Sequence, residues 1–152
     1  MSDFILKRTD ANDPDFIELV RHLDAELAIR DGDDHAFYDQ FNKIVHIRHA
    51  IVAYLDGRTA GCGAVKPLET GVMEVKRMFV LPEFRGKGIA SKVLAELERW
   101  ALELGARACC LETGQNQPEA IALYEKCGYQ HIPNYGQYAG VGNSICFRKN
   151  FS

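Results

Sequence analysis

Val72-Met73-Glu74-Val75-Lys76-Arg77-Met78-Phe79-Val80-Leu81 is the longest strand-like run in this chain, and Pro82-Glu83-Phe84-Arg85-Gly86-Lys87-Gly88 leads directly from it into a helix. In that helix Ile89, Val93, Leu97, Trp100 and Leu104 recur at helical spacing, Ala90, Leu94 and Ala101 widen the apolar stripe, and Gly105 ends it. Arg107 to Thr113 is again strand-like. A strand, a helix and a strand in this order predict a parallel crossover.

Outward from this unit the pattern changes. Ala50–Leu55 and Thr59–Val65 read as strands joined at Asp56-Gly57, a two-residue hairpin signal. Leu68 to Gly71 reads as a second turn, so the long strand becomes the third of an antiparallel meander. Gly61 and Gly63 lie on one face of the middle strand, where missing side chains admit a helix or a ligand. Upstream, Phe4–Arg8 reads as a strand. Asp13-Pro14 opens a helix carrying Ile17, Val20, Leu23, Leu27 and Ala28, which ends near Asp31-Gly32. A weaker helix is expected through Phe37, Phe41, Ile44 and Val45. Downstream, Pro118 starts a short helix with Ala120, Leu123, Tyr124 and Cys127, stopped by Gly128. Tyr129–Ile132 and Ser144–Arg148 form a last antiparallel pair around the glycine-rich stretch Gly136 to Asn143.

At 152 residues, 47% hydrophobic and 26% charged, the chain has the size and composition of one globular domain spanning residues 1–152. The net charge of -3 argues against a general nucleic-acid-binding surface. Its distribution is uneven: net -6 up to Val75 and +3 from Lys76 onward. The positive excess clusters at Lys76, Arg77, Arg85, Lys87 and Lys92, against Glu83 alone. MSDFILKRTD lacks the form of a leader, no run is apolar enough to cross a membrane, and a cytoplasmic protein is expected. Cys62, Cys109, Cys110, Cys127 and Cys146 have no C-x-x-C spacing and read as reduced thiols, four of them in apolar runs. His46 and His49, with His35 upstream, lack a carboxylate at ligand spacing, so no metal is expected.

Arg85-Gly86-Lys87-Gly88 stands where a parallel sheet places ligands, between the end of a strand and the start of a helix. Glycines let the backbone approach a phosphate, the first helical N–H groups point at it, and Arg85 and Lys87 add charge. Neither a Walker nor a Rossmann glycine pattern is present, so the expected ligand is a phosphorylated molecule of another kind.

Met78 to Ala90 resembles the acetyl-CoA motif of the GNAT superfamily of N-acetyltransferases, whose core [QR]-x-x-G-x-[GA] is filled here by Arg85, Gly88 and Ala90. Ala120-Ile121-Ala122-Leu123-Tyr124-Glu125-Lys126-Cys127-Gly128-Tyr129 is similar to that family's A-x-x-L-Y-x-x-x-G-[FY] helix. The order of elements fits nearly the whole chain. The resemblance implies a GNAT-type α/β (α+β) fold: a mixed sheet of six or seven strands, a central meander, a parallel crossover and about four helices. It implies acetyl-CoA as acyl donor. The backbone of Met78, Phe79 and Val80 would hold the pantetheine arm, and Arg85, Gly86, Lys87, Gly88, Ile89 and Ala90 would wrap the pyrophosphate. A bulge would splay the strand ending at Val80 from its parallel neighbour. The family's asparagine seven residues before the tyrosine is Gln117 here, with Asn116 beside it, so either amide can make that contact.

Acyl transfer to an amine needs a base, because an ammonium with a pKa near ~10 cannot attack a thioester. It also needs a donor for the developing oxyanion, for which the Met78 N–H is placed, and a proton for the departing thiolate, the family role of Tyr124. Glu74 is the leading base: residues two apart share a strand face, so Glu74, Lys76 and Met78 would line up at roughly 7 Å steps before any bulge. A surface ion pair of Glu74 with Lys76 is the competing reading, and Glu112 is an alternative base. The acceptor is expected to be a small amine metabolite, with Lys66, Lys76 or Arg77 suiting an acidic group. Tyr135, Tyr138 and Asn143 are candidates for lining its site. A peptide lysine or amino terminus would instead need a groove between residues 31–49 and 136–143. A non-catalytic acyl-CoA-binding module is the competing class, and assembly as a homodimer stays open.

Overall fold

The computed structural model of the chain describes residues 3–31 and 46–151. The helix expected through Phe37, Phe41, Ile44 and Val45, and with it His35, falls outside them.

Among the described residues one mixed sheet runs in the order β1-β2-β3-β4-β5-β7-β6. The strands are β1 (Phe4–Thr9), β2 (His49–Leu55), β3 (Arg58–Glu69), β4 (Val72–Val80), β5 (Ala108–Gly114), β6 (Gln130–Ile132) and β7 (Ser144–Asn150). Asp56 and Gly57, both with positive φ, make the turn between β2 and β3, as the Asp-Gly signal predicts. β3 runs further than expected, through Lys66 to Glu69, so the turn that follows is confined to Thr70 and Gly71. The only parallel contact in this sheet joins β4 to β5, across the helix α2 (Ile89–Glu103).

Helix α1 (Pro14–Asp31) lies on one face of the sheet and α2 on the other, with α3 (Pro118–Lys126) beside α2. Asp13 caps α1: its carboxylate accepts the Asp15 N–H at 2.8 Å, and Lys7 holds it from β1 at 2.7 Å. The core face of α1 is Phe16, Leu19, Val20 and Leu23 with Leu27 packed against it; Val20, Leu23 and Leu27 are as expected, Phe16 and Leu19 widen the stripe, Ile17 is only half-buried and Ala28 is exposed. Three α-helices are present among the described residues, with single 3-10 turns at Pro82–Phe84 and Gly136–Tyr138. The fourth expected helix belongs to the segment that is not described.

Gly61 and Gly63 have the packing role their missing side chains suggested. A Cβ on Gly63 would lie 2.6 Å from Met78 Sδ and 2.8 Å from Leu97 Cδ1, so β3 touches α2 there. On Gly61 it would meet the Phe79 carbonyl oxygen at 2.7 Å.

Candidate active site

From Met73 to Lys76 β4 pairs with β3 in steady register, and it becomes irregular at Arg77. Ala64 pairs with Lys76 and Cys62 with Phe79, so β4 carries an extra residue opposite β3, and Arg77 takes up the excess with a left-handed φ of 59°. The bulge corrects the expected alignment of Glu74, Lys76 and Met78. Glu74 and Lys76 share a face, but Met78 is turned to the α2 side, where it packs over Gly63. Phe79 then faces α1 and Val80 faces α2.

The bulge also parts the sheet. β4 and β5 pair only from Val72–Ala108 to Glu74–Cys110, and beyond that point a cleft opens between them. Two adjoining hollows of about 100 Å³ and 360 Å³ share Leu23, Met78, Gln117, Ala120 and Tyr124 as walls. The larger runs past Phe79 and Val80 to Arg85, Gly86, Gly88, Ile89 and Ala90. The smaller reaches Lys76, Arg77, Glu112 and Thr113. Lys87, Asn116 and Glu74 are not in these walls.

At the wide end, Gly86 and Gly88 have φ of 80° and 78°, left-handed values that side chains resist. Gly88 makes no side-chain cap, and the first hydrogen bond of α2 runs from Lys92 N–H to the Gly88 carbonyl. The N–H groups of Ile89, Ala90 and Ser91 therefore stay unpaired within the helix, at its positive end. Nothing lies within 4 Å of a Cβ built on either glycine, which leaves room for phosphate oxygens against the backbone. Arg85 is already engaged. Its Nε donates to the Val80 carbonyl at 2.8 Å and its terminal nitrogen to Glu26 at 2.9 Å, so it joins β4, α1 and the turn.

Tyr124 stands where the two hollows meet. It is buried at 6% exposure, packed edge-on against Tyr129 and tilted against Phe147, and no hydrogen bond holds its hydroxyl among the described residues. Burial, with Cys127 and Glu112 nearby, pushes its phenol above the ordinary value, so it keeps its proton at neutral pH. Of the two amide candidates, Gln117 lines both hollows while Asn116 is exposed outside them.

The narrow end is polar. Glu74 is 1% exposed and accepts the Tyr135 hydroxyl at 2.6 Å; Lys66 is 3.9 Å away. Burial and the Glu74 charge both push the Tyr135 phenol up. Lys76 donates to the Tyr138 hydroxyl at 3.1 Å, and burial pulls its ammonium below the ordinary value. Glu112 accepts the Ser144 hydroxyl at 2.6 Å. Asn143 sits further out, tied to Gln115 at 2.8 Å. Tyr135 and Tyr138 thus reach the charged residues of β4. Sequence reasoning missed Ser144, and it missed Asp24 and Glu26 of α1, which bind Arg77 and Arg85 and carry no motif.

Known proteins resemble this chain in sequence and in fold. The N-acetyltransferase YjgM of Escherichia coli, itself uncharacterised, is 31% identical over 140 residues, spanning 84% of this chain and 83% of its own. A provisionally named acyl-CoA N-acyltransferase of Klebsiella pneumoniae, solved by crystallography, superposes with a TM-score of 0.80 at 28% identity over 98% of both chains. A GNAT acetyltransferase of Elizabethkingia anophelis, solved with acetyl-CoA bound, has the same fold at a TM-score of 0.71 and 17% identity over 97% and 98% of the two chains. Residues 16–129, a span that holds the parted strands, the glycine turn and Tyr124, match the acetyltransferase (GNAT) family, and the chain belongs to that family.

Proposed function

We propose that this acetyltransferase moves the acetyl group of acetyl-CoA directly onto the primary amine of a small metabolite, within one ternary complex. The observation that carries the proposal is the parting of β4 from β5, which opens the backbone of Met78 to Val80 beside Tyr124 and in line with the glycine turn. Acetyl-CoA supplies the activated acyl group. The chain's residues supply position and proton transfer.

In this reading the N–H groups opening α2, with Gly86 and Gly88, receive the pyrophosphate, and Gln117 meets the pantetheine arm. The Met78 N–H donates to the thioester carbonyl and holds the charge that develops on its oxygen. Tyr124 donates to the sulfur as it leaves. Glu74 takes the ammonium proton through the Tyr135 hydroxyl or through water. Glu112 offers a second reading for the base, favoured by its place in the cleft wall, where Glu74 is absent. The polar narrow end, walled by Lys76, Arg77 and Glu112, with Lys76 held by the Tyr138 hydroxyl, suits a small amine that also carries an acidic group better than a peptide.

The test is release of free CoA from acetyl-CoA across a panel of small amines, amino acids and lysine peptides. Acceleration by a small amine supports the proposal; acceleration by peptides alone overturns the acceptor class, and binding without any accelerated release overturns transfer itself. Glu74→Gln should lower kcat by about 100-fold or more, while Glu112→Gln should lower it less than tenfold. The reverse order assigns the base to Glu112. Arg85→Ala should weaken CoA binding about tenfold in calorimetry, because its loss frees the Val80 carbonyl and the turn.

A further inference from the structure

Arg77 is an unusual residue to find at a strained, buried position. Its side chain is 2% exposed, its φ is in the left-handed region, and its guanidinium pairs with Asp24 of α1. Its Nε is buried with no hydrogen-bond partner among the described residues. Left-handed backbone is unfavourable for a residue with a Cβ, so something outside β4 must hold it. The Asp24 pair does so from one side. From the other, the Cys62 thiol on β3 donates to the Arg77 carbonyl at 3.4 Å.

The consequence lies in one peptide unit. The Arg77 carbonyl and the Met78 N–H belong to the same trans peptide and point in opposite directions. With the carbonyl turned to Cys62, the Met78 N–H is turned away from β3, toward the side where β5 has separated. We infer that Asp24 and Cys62 are positioning residues which clamp Arg77 in its left-handed conformation and so aim the Met78 N–H at the reacting carbonyl. The inference rests on the donor role given to Met78 above. Asp24 and Cys62 lie outside the walls of both hollows and act through Arg77.

A positioning clamp has a signature that simple loss of stability lacks. Asp24→Ala should lower kcat roughly 10- to 100-fold, while the Kd for CoA, which has no thioester carbonyl, changes less than threefold. Arg77→Ala should be impaired as much or more. Arg77→Gly should recover part of that loss, because glycine occupies the left-handed region without strain. In a crystal structure of Asp24→Ala, φ of residue 77 should leave the left-handed region. Wild-type kcat in Asp24→Ala, equal loss in the Ala and Gly variants, or an unchanged φ would each overturn the clamp. If the wild-type chain releases no CoA with any amine, the transfer reading fails instead, and the φ of the Asp24→Ala crystal still decides the clamp.

Discussion

Tyr124 and His49 show how the same physical circumstance, burial, has two different outcomes. Tyr124 is buried with its hydroxyl unclaimed by the protein at the junction of the cleft, the condition for a donor reserved for something that enters. Tyr124→Phe should therefore lower kcat by about 10- to 100-fold with CoA affinity nearly unchanged, read by steady-state kinetics beside calorimetry. His49 stacks edge-on against Trp100 with ring centroids 4.9 Å apart, and its Nδ1 has no hydrogen-bond partner among the described residues. Burial, reinforced by Arg48, lowers its pKa below the ordinary 6.5. The folded state thus favours the neutral ring. Its contribution is complete above about pH 6.5 and is lost as the pH falls through the lower folded value. Thermal melts at pH 5 and 7.5 should show a smaller loss on acidification in His49→Phe than in the wild-type chain.

At the scale of elements, the two glycines of β3 make opposite predictions although the sequence presents them alike. A Cβ on Gly61 would strike the backbone oxygen of Phe79, and only movement of β4 relieves that. On Gly63 it would strike the ends of Met78 and Leu97, which can swing aside. Gly61→Ala should cost about 1–3 kcal/mol and weaken acetyl-CoA binding as well; Gly63→Ala should cost less, by denaturant unfolding. This contrast marks the limit of what the sequence carries. Periodicity, Asp56-Gly57 and the glycine turn made the meander, the crossover and the glycine-lined end of the cleft readable, because each is a local signal. The bulge at Arg77 was not readable in detail, because a register shift depends on the partner strand. It moved Met78 off the Glu74 face, and it gave α1 acids a purpose that no local pattern announces.

Across the whole molecule, the lopsided charge acquires a structural use. Two acids of the negative first half, Asp24 and Glu26, close on Arg77 and Arg85 of the positive second half. Part of the acidic surplus of the first half thus holds α1 against the cleft. The cysteines also sort by depth: Cys62, Cys109, Cys110 and Cys146 are buried, Cys127 is half-buried, and none is disulfide-bonded. Burial pushes the Cys62 and Cys109 thiols up to about 12. A thiol reagent at pH 8 should accordingly modify Cys127 in the native protein and the other four only on unfolding.

The join between β4 and β5 consists of three residue pairs, Val72–Ala108, Met73–Cys109 and Glu74–Cys110. Four strands lie on one side of it and three on the other. Each group carries its own antiparallel ladder, and this short parallel seam alone joins the two ladders within the described sheet. A ligand that hydrogen-bonds along the opened edge of β4 lengthens that seam by doing the work of an eighth strand. Occupancy of the cleft should then be felt far from it, as amide protons of β2 and of β7 that exchange at separate rates in the free protein slow down together.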